Sequence, residues 1–197
     1  MPRLAWRAWL LVCILALAAC ATSPPSGAPS EGPDARPPDR ELTGRISVHY
    51  HSFASGKEDT VFANFDWSEH DQDVDLVLLN PLGQTIARIR SEPNRSTLTL
   101  SDGRTFTAGT PEALTTDVLG WTLPVAGLRA WLEGRTADPN TATKIDPDGT
   151  RRLVENGWTV TYPAGSPEDA PSRVSLNYPG PGIALELRIV VDSRVGS

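Results

Sequence analysis

Two kinds of side chain in this sequence could do chemistry, and their neighbours decide which. Cys20 closes an apolar run as Leu17-Ala18-Ala19-Cys20, opened by a short basic stretch, and its thiol is a candidate for covalent modification. His49 and His51 lie two apart, on one face of an alternating segment, and could offer two imidazole nitrogens to a metal. No third ligand, such as a nearby Cys or a Glu motif, accompanies them. There is also no Gly-x-Ser-x-Gly elbow, P-loop or dinucleotide fingerprint. The expectation is a protein that binds rather than catalyses: no enzyme, no catalytic residue, no metal and no cofactor.

The run that leads to Cys20 has the three parts of a secretory leader. Arg3 and Arg7 make a positive start, residues 8–17 are apolar, and small residues precede the cut. The run is too short to cross a bilayer. Leu-Ala-Ala-Cys resembles the lipobox, whose cysteine receives diacylglycerol, becomes the first residue after cleavage, and usually gains a third acyl chain. The alternative is an ordinary secreted protein cut at an Ala-x-Ala-like site with Cys20 incidental; the segment that follows weighs against it. A buried methylene contributes about 0.8 kcal/mol, so a chain of about sixteen carbons contributes roughly 12 kcal/mol, and two or three anchor almost irreversibly. Ala21 stands where some bacteria place an aspartate that retains lipoproteins in the inner membrane, so this resemblance implies an outer-membrane destination.

Residues 22–40 hold six prolines and almost nothing apolar, which makes them a spacer rather than a folded segment. The expected organisation is a signal peptide over 1–19, a lipidated start and flexible spacer over 20–40, and one domain over 41–197. With Cys13 removed and Cys20 lipidated, no thiol remains for a disulfide, so a packed core must stabilise the domain. Loss of Arg3 and Arg7 takes the formal net charge from −6 to −8, which disfavours nucleic acid as a partner.

The domain alternates with a period of two. Leu42, Gly44, Ile46, Val48 and Tyr50 share one face of a first strand; Val61, Ala63, Phe65 and Trp67 share a face of a second; Val74, Leu76 and Leu78 begin a third. Further strands are expected over 85–91, 96–101, 104–108, 151–155, 158–162, 173–178 and 183–191, about ten in all and antiparallel. Asn156-Gly157 signals a type I′ hairpin. One stretch has helical spacing instead. Thr110-Pro111 offers an N-cap and a first-turn proline ahead of Leu114, Val118 and Leu119; after Leu123-Pro124, the residues Val125, Leu128, Trp131 and Leu132 form a stripe that Gly134 would cap. Spacing does not decide whether these two helices plug a solid core or cover a cavity.

Five segments, in order, resemble the outer-membrane lipoprotein receptor family LolB. They are 42–48 (Leu-Thr-Gly-Arg-Ile-Ser-Val), 65–67 (Phe-Asp-Trp), 78–83 (Leu-Leu-Asn-Pro-Leu-Gly), 119–134 from Leu-Gly-Trp-Thr-Leu-Pro-Val to Leu-Arg-Ala-Trp-Leu-Glu-Gly, and 155–162 (Glu-Asn-Gly-Trp-Thr-Val-Thr-Tyr). Family members often carry a tryptophan before the first strand and another in the last; Arg40-Glu41 and Asp192-Ser193-Arg194 stand there instead. The resemblance implies a mainly β (α+β) fold: a strongly curved antiparallel sheet forming an unclosed half-barrel, with a short helical lid over an apolar cavity. It implies that a monomer takes acylated lipoproteins from the soluble periplasmic carrier LolA and places them in the inner leaflet of the outer membrane, its domain facing the periplasm.

Candidate residues follow on the same terms. Asn80-Pro81-Leu82-Gly83 fits a type I turn with leucine at its tip, and in the family the matching leucine projects and helps deliver the client to the membrane. Phe65, Trp67, Leu76, Leu78, Leu114, Val118, Leu128, Trp131 and Trp158 are the apolar-face candidates for the acyl cavity. Arg45 receives no role beyond an outward ion pair. The competing reading is a structural or accessory lipoprotein of an outer-membrane assembly complex, which predicts a filled core; acyl transfer predicts a cavity above several hundred cubic ångströms.

Overall fold

The alternating apolar residues form strands because an extended chain sends successive side chains to opposite faces, so a period of two gives one buried face. A computed structural model describes residues 37–196, and Cys20, the leader and most of the spacer lie outside them. From Pro38 onward the chain forms one unit. Its strands are β1 (Arg40–Ser52), β2 (Glu58–His70), β3 (Asp73–Leu79), β4 (Thr85–Glu92), β5 (Arg95–Leu100), β6 (Thr105–Ala108), β7 (Thr143–Ile145), β8 (Arg151–Glu155), β9 (Trp158–Tyr162), β10 (Arg173–Gly180) and β11 (Ile183–Gly196). The helices α1 (Pro111–Leu119) and α2 (Val125–Leu132) fall between β6 and β7.

All eleven strands belong to one sheet, in the order β6-β5-β4-β3-β2-β1-β11-β10-β9-β8-β7. Every pair is antiparallel, and β6 and β7 are left as unjoined edges, so the sheet does not close into a barrel. The pairing of β1 with β11 joins two meanders at the middle of the sheet. β1 begins at Arg40, inside the expected spacer, β10 runs on to Gly180, and two further elements differ more. β7 is a three-residue strand whose residues are all exposed, so it lacks the alternation that marks the others. β11 continues to Gly196 rather than stopping at Val191, because β1 remains beside it down to Arg40.

Local signals in the sequence act as their chemistry suggests. Thr110 caps α1 by accepting a hydrogen bond from Ala113 N–H at 3.2 Å. Asn156 and Gly157 take φ values of 50° and 80°, the left-handed pair that a two-residue hairpin needs. At Gly44 the backbone passes so close that a Cβ would overlap the Val190 carbonyl oxygen and the Phe65 ring. The register of β1 against β11 shifts at this point. The cap of α2 is Glu133, with Gly134 one residue beyond it.

Candidate functional site

The inner face of the sheet and the helical segment enclose an apolar cavity of about 280 Å³. From the sheet it is lined by Ile46, Val48 and Tyr50 of β1, Val61, Phe65 and Trp67 of β2, Leu76 and Leu78 of β3, Ile89 of β4, and Leu187 and Ile189 of β11. The helical segment contributes Thr115, Trp121, Leu123, Leu128 and Leu132. The Thr115 hydroxyl is already engaged, donating to the Glu112 carbonyl at 3.1 Å and accepting Leu123 N–H at 3.0 Å. A hydroxyl in that position makes no polar demand on a ligand.

Five of the nine candidates from the sequence meet here: Phe65, Trp67, Leu76, Leu78 and Leu128. The other four lie elsewhere. Leu114, Trp131 and Trp158 are almost fully buried in the core, and Val118 lines a separate, more polar opening beside Ser55, Lys57 and Gly182. The two tryptophans are packing residues. Trp131 and Trp158 sit with ring centroids 6.5 Å apart, Trp158 stacks on Tyr178 at 5.0 Å, and Trp131 Nε1 donates to Glu155 at 2.6 Å. Sequence reasoning misses the lining from β1 and β11, although it places Ile46, Val48 and Tyr50 on one face. The signal needed is the pairing of the first strand with the last, which puts that face at the centre of the sheet.

The helical segment is held by named contacts. Glu112 of α1 accepts Val125 N–H at 3.0 Å, which satisfies the start of α2 that Pro124 cannot cap with a side chain. Thr116 and Thr122 hydroxyls meet at 2.8 Å. Arg129 of α2 reaches the buried Glu69 of β2 at 2.6 Å, and Glu69 also accepts Trp67 Nε1–H at 2.8 Å. Arg40 and Arg135 pair with Glu133, and Arg194 donates to the Pro171 carbonyl at 2.6 Å. Arg40 and Arg194, at the outer ends of the first and last strands, thus both bind acceptors. Arg45 points outward, bidentate to Asp192 at 3.0 and 2.9 Å, and the guanidinium holds that carboxyl below its ordinary range.

At the turn between β3 and β4, Gly83 N–H donates to the Asn80 carbonyl at 2.9 Å. Asn80 Oδ1 accepts both Leu82 N–H at 2.9 Å and Gln84 N–H at 3.0 Å, so the asparagine side chain fixes the turn from inside. Leu82 is 85% exposed, the most exposed large apolar side chain among the described residues. His49 and His51 both face Glu58, at 3.1 and 3.7 Å, and among the described residues no group of three or more His, Cys, Asp or Glu is arranged to hold a metal.

The family model described as outer membrane lipoprotein LolB matches residues 39–193. The outer-membrane lipoprotein LolB of Cupriavidus taiwanensis is 34% identical, over 95% of this chain and 97% of its own, and that of Nitrosomonas europaea is 31% identical over 98% and 94%. Among solved structures, the Mycobacterium tuberculosis lipoprotein LppX aligns over 78% of this chain and 88% of its own at 15% identity, with a TM-score of 0.32, a likeness too slight to add to the fold described above. On the family model and the two LolB relatives, the chain belongs to the LolB family of outer-membrane lipoproteins.

Proposed function

We propose that the cavity receives the acyl chains of lipoproteins handed over by a soluble periplasmic carrier of the LolA kind, and that the chain then releases them into the inner leaflet of the outer membrane. Membership of the family makes the protein a lipid-anchored outer-membrane protein concerned with lipoprotein localisation. The observation that carries the finer reading is the lining of the cavity, which is apolar but for Thr115 and the half-buried Tyr50. An accessory subunit would need only a filled core. Acyl chains cost roughly 12 kcal/mol each to expose to water, so a receptor must offer them apolar surface directly from the carrier. No nucleotide is required, since a modest difference in affinity gives the direction.

At about 280 Å³ the cavity is smaller than the several hundred expected, at the lower bound of the roughly 300–1,000 Å³ usual for ligand sites. The physical reason is that Trp121, Leu123, Leu128 and Leu132 of the helical segment form one of its walls. Admission of two or three chains therefore requires that segment to move outward, against the Arg129–Glu69 pair.

The test is to mix the full-length protein in detergent with carrier loaded with a lipoprotein and then separate the two. The client is expected on this chain; a client that stays with the carrier overturns the reading. Cys20→Ala adds a second expected outcome. Behind a secretory leader that is cut without lipidation, the unlipidated protein should be released from the membrane and still accept clients, while targeting to the outer membrane is lost. The check is to fractionate cells expressing the variant and assay the soluble form for transfer; a soluble form that accepts no client would place the lipid inside the site.

A further inference from the structure

The wall of the half-barrel has a notch beside the upper half of β2. β1 pairs with β2 over Glu58–Glu69, but β3 pairs with it only over Asn64–His70. Residues 58–63 therefore have a strand on one side and, among the described residues, no paired strand on the other. Glu58 through Phe62 are all exposed. The turn at Asn80–Gly83 bounds the notch below: Pro81 comes back beside Phe62 and Asn64.

The hydrogen-bond phase shows which main-chain groups face this gap. Ser52 N–H donates to the Lys57 carbonyl at 2.8 Å. In an antiparallel pair, residues point their N–H and C=O alternately to one side and the other. Asp59, Val61 and Ala63 therefore bond to β1, and Glu58, Thr60 and Phe62 present their main-chain groups outward. Thr60 N–H is covered by the adjacent Asp59 carboxylate at 2.8 Å, a local bond exposed to water. A charged residue on a free edge is a common guard against indiscriminate strand pairing. Meanwhile Val61, on the same stretch, points its side chain into the cavity.

We infer that this edge binds the peptide that follows the lipidated cysteine of a client, as an added β-strand along Glu58–Phe62. The inference rests on the cavity being an acyl site. With its acyl chains in the cavity, a client's first residues must leave past the rim, and Val61 puts the free edge at that rim. Main-chain bonding requires an extended backbone and no particular side chains, so clients of unrelated sequence are received alike. The protein's own spacer is a poor competitor, because Pro24, Pro25, Pro29, Pro33, Pro37 and Pro38 each lack the N–H that a strand partner donates.

The probe is a synthetic diacylglyceryl-cysteinyl hexapeptide, with full-length protein in detergent. Alternate peptide nitrogens are methylated in two sets of opposite parity, which removes donors without changing side chains. One set should bind at least about tenfold more weakly than the unmodified probe and the other nearly as well. Amide hydrogen exchange at Phe62 should slow on binding the lipopeptide, but not on binding diacylglyceryl-cysteine alone. Equal affinity of all three peptides, or equal protection by the peptide-free lipid, overturns the inference. So does protection by the empty carrier or by self-association, which would assign the edge to another strand. Failure of the peptide-free lipid to bind at all would instead overturn the acyl site, and the two failures are thus distinct.

Discussion

Replacing Glu155 by alanine is expected to lower unfolding stability by about 2–3 kcal/mol, read by denaturant titration of the wild type and the variant. Glu155 is buried, and its two oxygens gather four donors: Trp131 Nε1 at 2.6 Å, Asp138 N–H at 2.6 Å, Thr141 hydroxyl at 2.9 Å and Ala137 N–H at 3.1 Å. These donors come from the end of α2 and from the loop that leads to β7, so one carboxylate ties the helical cover to the sheet. Alanine leaves Trp131 Nε1 without an acceptor in the buried core, and frees three loop donors on exposed or half-buried residues. The pH dependence gives an independent check. Burial alone would raise the Glu155 pKa, but the hydrogen bonds from Asp138, Trp131, Ala137 and Thr141 outweigh it and hold the carboxyl below its usual range. A group whose folded pKa is depressed stabilises above its unfolded value, about 4.3 for glutamate, and that stabilisation is lost as pH falls through the folded value. The gap between wild type and variant should therefore be full at neutral pH and narrow in acid. A gap below about 1 kcal/mol at pH 7 would show that the four contacts are not a shared tie.

The same residue marks where the sequence stops being legible. The Glu155-Asn156-Gly157-Trp158 run shows its hairpin, because positive φ at Asn156 and Gly157 is a local property. It does not show why the first residue is glutamate, because the donors lie 14 to 24 positions away. The strands were legible for a related reason: one buried face imposes a period of two, and only β7, with both faces in water, escapes it. Both helices were legible from capping residues and spacing. The cavity was legible in part. Phe65, Trp67, Leu76 and Leu78 face it from neighbouring hairpin strands, whose pairing follows chain order, while Leu187 and Ile189 face it only because the last strand pairs with the first. Trp131 and Trp158 have the composition of a lining and the position of a core. Periodicity reports which face is buried and says nothing of how far the opposite wall stands from it.

Replacing Leu82 by glutamate is expected to leave folding intact and to slow delivery of clients to liposomes by about ten- to a hundredfold. Folding should be unaffected because the turn is built without the leucine side chain: Asn80 holds Leu82 N–H and Gln84 N–H, Gly83 takes φ 81°, and the leucine itself is 85% exposed. A surface change of this kind usually stays within about 0.5 kcal/mol. The expected loss comes from the membrane side of the reaction. Burying a leucine contributes about 1.5–3 kcal/mol, far less than the lipid anchor, so Leu82 does not hold the protein at the bilayer. On the proposed reading it inserts locally while the acyl chains cross, and a carboxylate there would both forfeit this gain and resist entering an apolar phase. The comparison series separates hydrophobicity from shape: Leu82→Phe should transfer nearly as well as wild type, Leu82→Ala should fall between, and Leu82→Glu should be slowest. Uptake of the client from the carrier should be the same for all four, since Leu82 does not line the cavity. Equal delivery by the glutamate variant, or a loss at the uptake step instead, would remove Leu82 from the release step and leave the bilayer contact to some other part of the molecule.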